Sequence, residues 1–94
     1  MRAKLLFRQR EEFDDGAVLE AVLWEVPAPV VGGSHRFKYR LYYGYPGRPL
    51  VRYDNERGKG DHRHVGRAEE PYRFRTAEKL IGDFLADVAA RRTS

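Results

Sequence analysis

Phe37-Lys38-Tyr39-Arg40-Leu41-Tyr42-Tyr43 decides the fold. Aromatic or aliphatic residues hold its odd positions and mostly basic ones its even positions, the two-residue period of a strand with one buried face. Pro46-Gly47 turns the chain, and Leu50 to Asp54 reads as the returning strand. On the N-terminal side, Ala17 to Val26 is almost wholly apolar, interrupted by Glu20 and Glu25, and predicts a central strand covered on both faces. Asp14-Asp15-Gly16 is a hairpin turn leading back to a first strand, where Ala3, Leu5 and Phe7 alternate with Lys4 and Arg8. Leu6 breaks that alternation and predicts cover on both sides there too. The proline-rich stretch from Pro27 to Ser34 is a loop, because proline cannot donate to a ladder.

Beyond Asp54 the signals change. The segment from Asn55 to Glu70 is polar apart from Val65 and reads as one long loop, a kind of segment that often carries function. Glu69-Glu70-Pro71 predicts a stop, and Tyr72 and Phe74 a short last strand. Thr76 then caps a helix, with Glu78 where the dipole favours an anion and Arg91 and Arg92 where it favours cations. Leu80, Ile81, Phe84, Leu85 and Val88 fall on one helical face. The expected architecture is a single domain over residues 1–94. It is of the α+β class, a meander-like antiparallel sheet of about five strands with a C-terminal amphipathic helix on one face.

Composition narrows the function classes. The chain has no cysteine, which removes disulfides and thiolate metal sites and fits a reducing cytoplasm, the expected location. Met1 to Arg8 lacks the apolar run of a signal peptide, and no stretch approaches the ~18 apolar residues of a membrane span. The net charge of +4 is unevenly spread: between Arg36 and Arg67 stand nine Lys or Arg against three acids. This basic middle is interleaved with Phe37 and five tyrosines (39, 42, 43, 45 and 53), which suits a polyanion with bases to stack. The bland alternative is a solvated sheet face over an aromatic core.

The chemistry concentrates in Tyr53-Asp54-Asn55-Glu56-Arg57-Gly58-Lys59-Gly60-Asp61-His62-Arg63-His64. Histidine both gives and takes protons near neutral pH. In an extended segment His62 and His64 point the same way, about 6.6 Å apart, and Asp61 and Arg63 point the other. Two imidazoles so placed can flank one phosphate as acid and base, while Lys59 or Arg57 stabilises the developing charge. That is the logic of metal-independent RNA cleavage by the substrate's own 2′-hydroxyl. A rival reading is a divalent metal held by the His pair and completed by His35, Asp54 or Glu56. The nearby cations Arg57, Lys59 and Arg63 count against it. A third is a basic loop whose side chains only bond to turn backbone.

These same residues carry a family resemblance. Phe37 to Arg40, Tyr53-Asp54-Asn55-Glu56, Gly58-Lys59-Gly60-Asp61-His62-Arg63-His64 and Glu70-Pro71-Tyr72-Arg73-Phe74 together resemble the TumE-type toxins of bacterial toxin–antitoxin modules. Lys4 to Phe7 and Leu23-Trp24 are similar too. The resemblance implies a toxin encoded beside an antitoxin with a helix-turn-helix DNA-binding domain. It does not imply a mechanism, and a ribonuclease reading is an analogy with other small toxins.

The reading is therefore a toxin that cleaves RNA without a cofactor or metal. His62 and His64 are acid and base, Asp61 orients an imidazole or guanidinium, and Lys59 and Arg63 hold the phosphate. Arg57, Tyr53, Lys38, Arg40 and Arg52 bind flanking substrate, and Asp54, Asn55 and Glu56 support the loop. The alternatives are a non-catalytic module that grips nucleic acid or antitoxin, and a metal-dependent nuclease or phosphotransferase.

Overall fold

Six strands follow one another across a single sheet in chain order, each antiparallel to its neighbours. They are β1 (Lys4–Glu12), β2 (Val18–Glu25), β3 (Phe37–Tyr45), β4 (Arg48–Asp54), β5 (His62–Val65) and β6 (Ala68–Pro71). One helix, α1 (Ala77–Thr93), closes the chain and packs against β3 and β4. The structure is a computed structural model describing residues 2–93. The α+β meander with a C-terminal helix is the architecture that the alternating patterns predict. None of the described helices is long and apolar enough to cross a membrane.

The core lies between α1 and one face of the sheet. β2 contributes Leu19, Ala21 and Leu23, β3 contributes Tyr39, Leu41 and Tyr43, and β4 contributes Val51 and Tyr53, all at a spacing of two. Leu80, Phe84 and Val88 meet them at helical spacing. Each leucine, valine or phenylalanine among them stabilises the fold by roughly 1.5–3 kcal/mol when fully buried. Thr76 caps the helix, its Oγ1 accepting from the Lys79 amide at 3.0 Å. At the other end Arg92 lies 3.9 Å above the Phe13 ring and donates to the Tyr43 hydroxyl. Leu85, expected on the buried stripe, turns outward and is 41% exposed.

The sheet covers only one of its faces, and this corrects two expectations. β2 is not buried on both sides, since its even-numbered residues lie on the face that α1 does not cover. Leu6 breaks the alternation because it is the extra residue of a β-bulge: Leu5 pairs with Trp24 and Phe7 with Leu23. Leu5 and Leu6 are both 42% exposed on this edge strand.

The third correction concerns residues 55–74. The expected polar loop folds half its length into β5 and β6, joined by the two-residue turn Gly66-Arg67. Gly66 takes a positive φ of 61°, which places glycine at the first turn position of a tight hairpin. Glu69-Glu70-Pro71 is thus strand rather than a stop, and the sheet has six strands instead of about five. Tyr72 and Phe74 form no strand. They cross the helix side of the sheet half-buried, Phe74 stacked on His35 at 3.8 Å and Tyr72 bonded to Asp83.

Candidate functional site

The strand register sorts the functional residues onto two faces. On the face away from α1 lie two rows that cross the sheet from edge to edge. One runs Arg8, Val22, Arg40, Asp54, His62, Pro71. The next runs Arg10, Glu20, Tyr42, Arg52, His64, Glu69. Trp24 and Lys38 stand side by side in the row beyond. The period of two therefore brings His62 and His64 together as neighbours on one face, their ring centroids 5.4 Å apart and their planes near perpendicular.

The two imidazoles sit in opposite hydrogen-bond surroundings. His62 Nε2 is 2.7 Å from Asp54 Oδ1, and its Nδ1 is 3.2 Å from the Gly60 carbonyl oxygen. Both partners are acceptors, so both contacts ask His62 to donate. His64 Nε2 lies 3.0 Å from Arg52 Nη2, a group that only donates, so this nitrogen is the acceptor. Its Nδ1 faces Glu69 Oε2 at 3.6 Å. One ring thus stands between acceptors and the other against a donor.

Asp54 and Arg52 hold this arrangement. The Asp54 side chain is 6% exposed, and its Oδ2 lies 3.5 Å from Arg52 Nε. The close approach of His62 to Asp54 is an ion-pair contact rather than an aligned hydrogen bond. Asp54 Oδ1 and Arg52 Nε are both buried without a well-directed hydrogen-bond partner. Hydrogen-bonding capacity left unspent beside the His pair is costly to folding and common where a ligand completes the network.

Several residues expected here are elsewhere. Asp61 orients an imidazole, but that of His35: Nε2 of His35 is 2.7 Å from Asp61 Oδ2, which also accepts from the Tyr39 hydroxyl at 2.6 Å. Burial, and then the neighbouring Asp61 carboxylate, push the Tyr39 hydroxyl far above the ordinary tyrosine range. This network is on the helix side and ties the 27–36 segment to the β4–β5 connection. There the backbone of Gly32 packs against Gly58 and Gly60, with Gly32 and Gly60 at positive φ, and a Cβ at either would come within 3.0–3.2 Å of that backbone.

Arg63 also faces the helix, donating to Glu70 at 2.6 Å and to the Tyr53 hydroxyl at 3.1 Å, with Asp87 at 3.4 Å. It does not adjoin the His pair. Tyr53 is fully buried beneath α1 and is not a stacking surface. Asn55, 2% exposed, accepts from the Tyr39 amide and donates to the Phe37 carbonyl, fixing the end of β3. Glu56, Arg57 and Lys59 are exposed in the connecting loop, Glu56 3.8 Å from Lys59. Lys59 and His62 line the same cleft with Asp61, Glu69, Glu70 and Pro71.

The metal-ligating set differs from the expected one as well. His35 is committed to Asp61 and Glu56 to the loop, whereas ligand atoms of His62, His64 and Glu69 all lie within 4.8 Å of one another. Glu69 gave no sign in the sequence, because it reads as a chain stop until β6 is recognised. Arg8 and Arg10 went unread for the same kind of reason: only the register places them in line with the histidines.

A family model described as "Toxin TumE" matches residues 2–92. No curated protein and no solved structure matches the chain. With a match over nearly its whole length, this chain belongs to the TumE toxin family, and membership implies an antitoxin partner.

Proposed function

We propose that the toxin cleaves RNA by acid–base catalysis at the His62–His64 pair. The observation that carries the reading is the opposed wiring of two adjacent imidazoles, one between acceptors and one against a donor. The 2′-hydroxyl oxygen attacks the adjacent phosphorus while His64 Nε2 takes its proton. The bond from phosphorus to the 5′-oxygen breaks, and that oxygen takes a proton from His62. The Asp54 carboxylate faces Nε2 of His62, so the proton leaves from Nδ1, which exchanges its 3.2 Å contact with the Gly60 carbonyl for the 5′-oxygen. The products are a 2′,3′-cyclic phosphate and a free 5′-hydroxyl.

Arg52 links binding to chemistry. In the free protein its guanidinium occupies the lone pair of His64 Nε2. A phosphate drawing Arg52 toward itself frees that nitrogen and gains a charge-assisted contact at once. Lys59 lines a cleft with His62, and Lys38 and Arg40 lie exposed on the same face as the His pair. The test is induced expression in a bacterial host without antitoxin, comparing wild type with His62→Ala and His64→Ala. Growth arrest with new RNA ends, lost in both variants, supports the reading; arrest with intact RNA removes it.

A second reading is favoured by one observation, the convergence of His62, His64 and Glu69. Two imidazoles and a carboxylate suit a divalent ion that activates water for hydrolysis. Arg52 beside His64 opposes a dication there. The two readings separate on a chelator: activity that disappears on chelation, returns with Zn²⁺ or Mn²⁺ and needs Glu69 belongs to the metal reading.

A further inference from the structure

The face away from α1 contains a groove of about 840 Å³. Its lining includes Arg8, Arg10, Arg40, Tyr42 and Arg52. It occupies the β1–β4 part of the two cross-strand rows that end at His62 and His64. Adjacent strands lie about 4.8 Å apart, so Arg40 stands about 10 Å from His62 along its row and Arg8 about 19 Å. Arg52 belongs both to the groove and to the His64 contact. The groove and the His pair are thus one continuous surface.

Its charge is strongly biased. Arg10 is shared between Glu12 and Glu20. The acids in the rows are already used: Glu20 by Arg10, Asp54 by His62 and Arg52, and Glu69 beside His64. Among the described residues Arg8, Lys38 and Arg40 make no ion pair, and all three are exposed. Half-buried Tyr42 lies in the second row between Glu20 and Arg52, and half-buried Trp24 flanks Lys38.

We propose that this face is a single-strand RNA track, on which the chain leading from the cleaved phosphate runs across β4, β3 and β2 toward β1. Arg52, Arg40 and Arg8 would take successive phosphates, and Tyr42 a base. A line of spaced guanidiniums with an aromatic platform fits an unpaired strand, whose bases are free to stack. A duplex keeps its bases stacked on one another and offers Tyr42 nothing. The inference deepens the ribonuclease reading and rests on it for the identity of the ligand. Its test is one of binding, so the two fail separately.

The experiment measures fluorescence anisotropy of a labelled 12-nucleotide single-stranded RNA with the His64→Ala protein as background. Arg8→Gln and Arg40→Gln are added singly and together, with circular dichroism confirming the fold. Each is expected to weaken binding several-fold, and together they should lower the salt slope by about 1.4, or ~0.7 per lost phosphate contact. Tyr42→Ala should weaken binding roughly tenfold with the salt slope unchanged. Unchanged affinity and slope in the Arg8/Arg40 double variant would overturn the track, whether or not the wild type cleaves RNA. So would tighter binding of a duplex of the same length, or equally good competition by oligoglutamate, which would make the face a seat for an acidic peptide. RNA binding by these residues in a protein that never cuts RNA would leave the track standing and remove the ribonuclease reading.

Discussion

Asp54 and His62 face each other across the β4–β5 ladder, the imidazole Nε2 2.7 Å from a carboxylate oxygen that solvent scarcely reaches. A buried carboxylate placed against a ring fixes which edge of that ring is left to work. It also makes Asp54 structural, because it neutralises Arg52 from the same position.

Asp54→Ala is therefore expected to do two things. It should destabilise the fold by about 3 kcal/mol, since it leaves the Arg52 guanidinium without its buried partner. It should also abolish RNA cleavage under conditions where the variant remains folded. Asp54→Asn keeps the volume and should lose activity with a smaller stability change. Urea unfolding alongside a cleavage assay separates the two effects.

Arg52→Lys tests whether shape or charge matters at the centre. Lysine keeps the charge but cannot reach Asp54 and His64 together with a planar fork. The expected loss is tenfold or more in cleavage rate, about 1.4 kcal/mol in transition-state stabilisation. Equal activity in Arg52→Lys would reduce Arg52 to a general counter-charge.

Asp61, at the middle of the motif, is expected to behave as a fold residue. Its Oδ2 serves both His35 and the Tyr39 hydroxyl. Removing it orphans the half-buried His35 ring and the buried Tyr39 hydroxyl, so Asp61→Ala should cost about 2–4 kcal/mol in chemical denaturation. Once folded at low temperature, the variant should still cleave RNA.

The pH dependence of stability has one clear contributor in α1. The Tyr72 hydroxyl first, and Lys79 to a lesser extent, hold the Asp83 carboxyl below the usual carboxylate range against an opposing effect of burial that ranks next after Tyr72. A carboxyl lowered in the folded state stabilises fully above its unfolded value near ~3.9 and loses that contribution as pH falls through the folded value. Asp83→Asn should thus be less stable than wild type by about 1 kcal/mol at neutral pH. The gap should close as the pH falls below about 4. A gap that widens in acid would contradict this.

The legible parts of the fold were those in which one face is buried. β3 and the helix announced themselves through alternating tyrosines and leucines and through Leu80, Phe84 and Val88, because burial imposes a period that sequence must obey. β5 and β6 were hidden: none of their eight residues is fully buried, so no period of two in hydrophobicity marks them. Their signal was the Gly66-Arg67 turn, weak without flanking apolar residues. The same gap explains the site. The shared face of His62 and His64 follows from local spacing alone. Their partners Asp54, Arg52 and Glu69 come from neighbouring strands, and register is a tertiary property. Arg63 was misplaced by chemistry overruling geometry, since alternation already turned it away from the histidines.

The most direct test of the central claim is cleavage by purified toxin of a short single-stranded RNA and of the same RNA bearing 2′-O-methyl groups. The chelator is present in both reactions, and the product ends are identified by mass. Acid–base catalysis at His62 and His64 predicts 2′,3′-cyclic phosphate and 5′-hydroxyl ends from the unmodified RNA and none from the methylated one. Cleavage of the methylated RNA, or 5′-phosphate ends, would contradict it.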